Sequence, residues 1–265
     1  MVTGLQGGPG GAKIARMISR PLSLVGRREL FLFLGAYLVY SLSRYVSVGD
    51  ITTATDHARW IVNLQQSIGV NVEASVQAAL HGTVAIWILN NLYLAAQLVV
   101  VPGTLFWLYR RDHALYVRLR NTVLATWLIA MPIYALFPVA PPRLADVGRI
   151  DTITTGGGVR LDSALTTSFY NPLAAVPSLH AGFALAVGVA LAAAASRPWL
   201  KLLALSWAPI IGLAVVATGN HFLFDIAAGV AVTVAGYVVG NAVDRKLAGR
   251  RPWRPSVGGP LPAHG

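Results

Sequence analysis

The sequence predicts an all-α fold, a polytopic membrane protein built as a bundle of six transmembrane helices with short interfacial amphipathic helices. Composition is the first observation behind this prediction: the 265 residues are 55% hydrophobic and only 12% charged, whereas soluble domains average about 25% charged residues. The second observation is that several apolar runs approach the roughly 20 residues that a helix needs to cross a bilayer. The sequence has no cysteine, which excludes disulfides and cysteine metal sites.

Three regions are expected along the chain. Residues 1–28 form a basic cytoplasmic segment, residues 29–243 form the six-helix membrane domain, and residues 244–265 form a basic cytoplasmic tail. No small-residue cleavage site of a signal peptide follows the first apolar run. We therefore interpret the basic N-terminal segment as a charge cluster that orients the protein in the membrane.

The six spans are predicted from the apolar runs. They cover residues 29–48, 82–108, 121–138, 178–195, 200–217 and 222–243. Arg44, near the far end of the first span, is typical of an arginine that snorkels to the interface, and a phosphate contact is the alternative. Asn90, Asn91 and Gln97 in the second span are interpreted as interhelical hydrogen-bonding residues, with substrate contact as the alternative. Pro132 in the third span is tolerated as a kink.

Residues 52–80 are more polar and carry apolar residues at helical spacing. Trp60, Ile61, Leu64 and Ile68 form one set, and a second set follows Gly69. This pattern predicts two short amphipathic helices in the membrane interface. A structural cap on the bundle is the main expectation for them, and a lid or a lipid entrance is the alternative.

A long extracytoplasmic loop is expected over residues 139–176. It begins with Ala-Pro-Pro-Arg at 140–143 and ends near Tyr-Asn-Pro at 170–172. Its triple glycine, 156–158, lacks the Lys and Ser/Thr of a phosphate-binding loop and is interpreted as a flexible turn. Three loop aspartates match no spacing of metal ligands, so no metal site is predicted from them. They are Asp146, Asp151 and Asp162.

The distribution of charge predicts the topology. Sixteen of the 21 lysines and arginines lie in four segments that share one side of the membrane if there are six spans. These segments are residues 1–28, 110–120, 197–201 and 245–254. Because cytoplasmic segments carry the excess of positive charge, we expect both termini in the cytoplasm of a multi-pass plasma-membrane protein. This asymmetry explains the net charge of +11, and no nucleic-acid partner is expected.

Two short motifs carry the candidate chemistry. Residues 176–180 (VPSLH) begin the fourth span and residues 220–225 (NHFLFD) begin the sixth, both on the expected extracytoplasmic side. His221 and Asp225 are four residues apart and share one face of a helix. At that spacing a carboxylate accepts a hydrogen bond from the imidazole, fixes its tautomer and stabilises its charged form. His180 is at the start of the partner helix.

These residue types suit chemistry at phosphorus. An imidazole oriented by a carboxylate is a better nucleophile, and a phosphoramidate is a workable intermediate. His180 is expected to protonate a leaving oxygen, and Arg143 to hold a charged phosphoryl oxygen. These residues are expected to lie at the headgroup level of the outer leaflet. The expected substrate is therefore a phosphorylated lipid. The other candidate substrate-binding residues are Ser178, Asn220, Arg149, Arg160, Tyr170 and Asn171.

Plainer interpretations exist for the same residues. A histidine at a helix start is commonly an interfacial anchor, and a His-x-x-x-Asp pair also stabilises a helix without any catalytic role. We interpret four other histidines as anchors: His57, His81, His113 and His264. Two histidines and a carboxylate can bind zinc, but no further ligand is close in sequence, so no metal is predicted.

The two motifs resemble those of the type 2 phosphatidic acid phosphatase superfamily. That family carries K-x6-R-P, then P-S-G-H, then S-R-x5-H-x3-D. Residues 177–180 (PSLH) resemble the second motif with leucine in place of glycine, and His221 with Asp225 matches the end of the third. The resemblance covers about residues 120–243, and the predicted six-span layout agrees with it.

Two cations of the family pattern are replaced in this chain. Leu136 stands where the first motif has its lysine, and Val215 stands where the third has its arginine. The chain carries A-P-P, then P-S-L-H, then H-x3-D. This pattern resembles that of the branch containing the inositol phosphorylceramide synthases more than it resembles that of the phosphatases. This resemblance implies that His221 is the nucleophile, Asp225 its orienting partner and His180 the general acid, with no metal or other cofactor.

The sequence therefore predicts a metal-independent lipid phosphotransferase. It would move a phosphoryl-headgroup, such as inositol phosphate, from a phospholipid donor to a lipid-alcohol or glycolipid acceptor. A phosphodiester carries one negative charge and needs fewer cations than a phosphomonoester, which agrees with the two replacements. A second hypothesis is a phosphatase that acts on phosphatidic acid or a polyprenyl (di)phosphate. A third is a non-enzymatic scaffold or transporter with structural histidines. The oligomeric state is left open.

Overall fold

The computed structural model describes residues 50–155 and 171–249, apart from the side chains of 247–249, and a few helical positions between 29 and 38. The chain divides into two compact units, Met1–Leu42 and Ser43–Gly265, and both motifs belong to the second unit. Most of the predicted first span, including Arg44, lies outside the described residues, as does the triple glycine of the long loop. The regular structure in the described part of the second unit is helical, with one isolated parallel bridge between Val139 and Ala174.

Two short helices occupy the segment that was predicted to be amphipathic. Helix α1 is Ile51–Ser67. Asp50 is its N-cap, because the Asp50 carboxylate accepts a hydrogen bond from the amide of Thr53. Helix α2 is Glu73–Leu80. The existence of both helices is therefore confirmed, and their position at a membrane surface stays a prediction. Their burial pattern is unexpected, because the residues that α2 buries are polar: Glu73 and Gln77.

Four of the described helices are long and apolar enough to cross a membrane. They are α3 (Val84–Arg111), α4 (His113–Leu136), α6 (Pro198–Ala217) and α7 (Leu223–Gly249), the last over its first 24 residues. Helix α5 (Leu179–Ala194) is apolar but has only 16 residues. These helices indicate a membrane protein. The predicted count of six spans is not reached among the described residues, because α5 is short and the first span is largely outside them.

Glycines allow α7 to pack closely against α4 and α5. A Cβ atom at Gly229 would lie 2.2 Å from the carbonyl oxygen of Ser178, and one at Gly236 would lie 2.3 Å from Oγ1 of Thr126. Small residues let helix backbones approach in this way, and such contacts are common where membrane helices associate. The contact at Gly229 fixes the start of α5 against the first turns of α7.

Helix α1 covers the ends of the long loop. Its buried residues Ala54, Ala58 and Ile61 pack with residues from both ends of the loop and with Phe222. The backbone amide of Ala140 donates to the carbonyl of Ala54 over 3.0 Å. Nδ1 of His57 lies 2.7 Å from the carbonyl oxygen of Pro138. The role of His57 as an interfacial anchor stays a prediction. The α1 helix and the described ends of the loop therefore pack together.

Candidate active site

A tight turn between α6 and α7 contains the start of the second motif, residues 220–225. Gly219 has φ +72°, a conformation that side chains rarely adopt, and a Cβ there would lie 2.8 Å from the carbonyl oxygen of Ile150. The amides of Asn220 and His221 both donate to the carbonyl of Val215, over 3.0 and 3.1 Å. The turn therefore fixes the backbone of His221 before α7 begins.

His221 and Asp225 form the predicted pair. Nδ1 of His221 lies 3.2 Å from Oδ2 of Asp225 and 3.0 Å from the carbonyl oxygen of Ala175. Both neighbours are acceptors, so Nδ1 carries the proton and Nε2 is left with the lone pair. Both side chains are buried, at 8% and 0% exposure. Such an oriented imidazole is suited to nucleophilic or general-base chemistry at Nε2.

His180 comes to the same place from α5. The ring centroids of His180 and His221 are 5.9 Å apart. Tyr93 of α3 stacks on His180, with centroids 4.1 Å apart. Ser178 joins α5 to α7, because its amide donates to the carbonyl of Asp225 over 2.9 Å. The two histidines and the carboxylate that the sequence singles out therefore meet within one cluster.

Arg143 is tied to this cluster through Asn220. Its Nε donates to Oδ1 of Asn220 over 3.0 Å, and its Nη1 donates to Oδ2 of Asp151 over 3.2 Å. The side chain of Arg143 is only 2% exposed. Its amide also donates to the carbonyl of Gly219 over 2.9 Å. A phosphate that binds Arg143 must therefore share the guanidinium with Asp151, or displace that carboxylate.

The match to a known family agrees with this geometry. A family model described as the PAP2 superfamily matches residues 59–239, which include both motifs and Arg143. The chain belongs to the PAP2 superfamily. Membership indicates an activity of the lipid phosphatase or phosphotransferase type in a membrane. No curated protein and no solved structure matches the chain significantly.

Three other predicted substrate-binding residues of this PAP2 superfamily member have structural hydrogen-bond partners. Ser178 is buried, and its hydroxyl oxygen accepts from the amide of Ala181 as the N-cap of α5. Arg149 donates to the carbonyls of its neighbours, residues 147 and 148. Asn171 accepts from the amide of Leu173. Substrate contacts by these residues stay predictions, and Arg160 and Tyr170 lie outside the described residues.

Among the loop aspartates, Asp151 has structural partners. Asp151 accepts from the amides of Ile153 and Thr154 through Oδ1, besides its ion pair with Arg143. Asp162 lies outside the described residues. Within 50–155 and 171–249, no group of three or more His, Asp or Glu side chains is arranged to hold a metal ion. The catalytic roles of the two histidines and Asp225 stay predictions.

Two contributors to this site were not predicted from the sequence. Tyr93 gave no signal of function, because a tyrosine in an apolar helix is common. Asp151 was considered only as a metal ligand, and its contact with Arg143 depends on the fold of the loop. The spacing of eight residues between Arg143 and Asp151 is not a recognisable pattern in a loop.

Proposed function

We propose that this member of the PAP2 superfamily is a membrane phosphotransferase. It moves a phosphoryl-headgroup from a phospholipid donor to a lipid or glycolipid hydroxyl through a phosphohistidine intermediate. The observation that carries the proposal is the pairing of His221 with Asp225 beside His180, because it supplies a nucleophile, its orienting carboxylate and a separate acid. Inositol phosphate is the candidate headgroup, from the resemblance to the inositol phosphorylceramide synthase branch.

The reaction runs in two balanced steps. In the first, Nε2 of His221 attacks the donor phosphorus, the bond to the diacylglycerol oxygen breaks, and His180 gives that oxygen a proton. In the second, the acceptor hydroxyl attacks the phosphorus and gives its proton to His180, and the bond from phosphorus to His221 breaks. Asp225 stabilises the charge on the imidazole of His221 in both steps. The enzyme is then restored.

The charge around the site supports a phosphodiester donor. Val215, which replaces a family arginine, is fully buried among apolar residues, and Leu136, which replaces a family lysine, is 83% exposed. Arg143 is already paired with Asp151. Fewer uncompensated cations suit a diester, with one negative charge, better than a phosphomonoester dianion. Cytoplasmic termini and a site at the extracytoplasmic face of the plasma membrane complete the proposal, from the charge asymmetry of the sequence.

Purified protein in lipid nanodiscs tests the proposal. The nanodiscs contain phosphatidylinositol and a lipid alcohol, no metal is added, and the products are identified by mass spectrometry. The expected result is a new phosphodiester lipid together with diacylglycerol, and loss of both products in His221→Ala. An active His221→Ala variant would contradict the proposed nucleophile.

A phosphatase is the second candidate, because water can replace the acceptor hydroxyl in the same site. A parallel reaction with phosphatidic acid, and another with a polyprenyl diphosphate, test it by measuring free phosphate. Release of phosphate without any transferred headgroup would replace the transferase with the phosphatase. If neither product forms with folded protein, the non-enzymatic scaffold is favoured.

A further inference from the structure

The first turn of α7 has no side-chain cap at its own N-terminus. The first amides of a helix have no partner inside the helix, and a Ser, Thr, Asp or Asn side chain usually accepts from them. Here the residue before the helix is Phe222, whose side chain offers no acceptor. Asp225 accepts from the amide of Phe222 over 2.9 Å, as the reaching-back residue of a capping box does. The amides of Leu223 and Phe224 need acceptors from elsewhere.

The two short helices supply those acceptors. The amide of Leu223 donates to Oε1 of Glu73 over 3.0 Å, and the amide of Phe224 donates to Oε1 of Gln65 over 2.9 Å. Glu73 begins α2 and Gln65 lies in the last turn of α1. They precede their partners in the chain by 150 and 159 residues. The cap of α7 is therefore provided by a distant part of the chain.

The capping pair is itself locked in place. Nε2 of Gln65 donates to Oε1 of Glu73, so one carboxylate oxygen accepts from a side chain and from a helix amide. Glu73 is 1% exposed and Gln65 is 2% exposed. A buried carboxylate is costly unless its surroundings favour the negative charge. The N-terminus of α7 does so, because its partial positive charge attracts anions.

The capped amides belong to the residues that separate His221 from Asp225. The distance between the imidazole and the carboxylate depends on the conformation of that one turn. We propose that Glu73 and Gln65 are positioning residues for the His221–Asp225 pair, so that α1 and α2 belong to the catalytic apparatus and do more than cover the bundle. This inference rests on the proposed function, in which His221 is the nucleophile. A misplacement of about 1 Å in an active site can lower the rate about 100-fold.

Substitutions at Glu73 distinguish a role in positioning the His221–Asp225 pair from a role only in stabilising the fold. Glu73→Ala removes the acceptor of Leu223, and we expect kcat to fall about 10- to 100-fold with little change in KM. Glu73→Gln keeps an oxygen at the same place, and we expect it to restore most of kcat. Gln65→Ala should resemble Glu73→Ala, and Gln66→Ala is the matched control because Gln66 is exposed on the same helix. The assay uses whichever donor the wild-type protein consumes in the nanodisc experiment.

A second measurement does not require turnover. Protein labelled with ¹⁵N-histidine gives a signal for the Nδ1 proton of His221, assigned by its absence in His221→Ala. We expect this signal to shift or broaden in Glu73→Ala and Gln65→Ala, and to stay unchanged in Glu73→Gln and Gln66→Ala. An unchanged signal together with unchanged kcat in Glu73→Ala would overturn the positioning role. If His221→Ala remains active, the proposed function fails instead, and the NMR signal alone decides whether Glu73 orients the pair.

Discussion

The ring of Tyr93 lies against the imidazole of His180, with centroids 4.1 Å apart and an interplanar angle of 17°. Tyr93 belongs to α3, shortly before the π-helical segment Ala96–Val100. Such segments are rare, change the direction of the residues around them and are frequent at functional sites. The stack therefore fixes the plane of the imidazole that is proposed to exchange a proton with the leaving and attacking oxygens.

Removal of the aromatic ring at position 93 should reduce turnover. An aromatic pair contributes about 0.5–1.5 kcal/mol beyond its buried area, so Tyr93→Leu is expected to lower kcat by up to about 10-fold. Tyr93→Phe keeps the ring and should retain most of the activity. Tyr237→Leu, at a residue half exposed on α7, is the control. Equal activity in Tyr93→Leu and the wild-type protein would show that the stack is not needed.

Neutralising Asp225 should abolish most of the activity and leave the helix start intact. Asn in place of Asp225 can still accept from the amide of Phe222, but it carries no charge to stabilise the imidazolium of His221. We expect Asp225→Asn to lower kcat at least about 100-fold. Asp56→Asn, at an exposed residue of α1, is the matched control. A variant that is inactive and also unfolded would not support the catalytic role, so circular dichroism accompanies the assay.

We expect that lysine at position 143 cannot take over the function of the arginine. The guanidinium uses Nε and Nη1 for two different partners, and a single ammonium group cannot reproduce that arrangement. A lost hydrogen bond to a charged group costs about 1.5–3 kcal/mol, which predicts about a 10- to 100-fold fall in kcat/KM for Arg143→Lys. The exposed Arg59 provides the control, Arg59→Lys. Retained kcat/KM in Arg143→Lys would mean that only its charge matters.

A methyl group at Gly229 should separate α5 from α7. Its Cβ would lie 2.2 Å from the carbonyl oxygen of Ser178, so Gly229→Ala forces the backbones apart. We expect this variant to lose about 1–3 kcal/mol of the free energy of unfolding. Gly103→Ala, in α3, has no atom within 4 Å of the added carbon and should be neutral or stabilising by up to about 1 kcal/mol. Thermal unfolding in detergent, followed by tryptophan fluorescence, compares the two. Similar midpoints would contradict the close packing at Gly229.

The spacing of four residues was sufficient to predict that His221 and Asp225 contact each other. The expectation that both residues share one face of a helix was wrong, because His221 lies in the turn before α7 and only Asp225 is helical. Their contact forms because Asp225 reaches back from the first turn of α7. The pairing with His180 needed the further assumption that two apolar runs bring their ends together. The all-helical fold and its membrane character follow in the same way from composition and from the length of the apolar runs.

Contacts between distant segments could not be predicted in this way. Nothing in the sequence shows that Glu73 contacts Leu223, because the contact depends on how α2 packs against the start of α7. The apolar periodicity of residues 52–80 predicted the helices but not which side they bury. Gln77 is buried because it bonds both backbone groups of Ile150, which lies in the loop. Polar residues of an amphipathic helix can thus face inward when they form hydrogen bonds with buried backbone groups of another segment.

The distant cap of α7 has a consequence for biosynthesis. The ribosome makes Gln65 and Glu73 long before Leu223 and Phe224, with which they bond. The first turn of α7 gains its full set of acceptors only when that helix meets α1 and α2, which are translated much earlier. A growing chain therefore cannot assemble the capped His221–Asp225 pair until nearly all of the described helices have been translated.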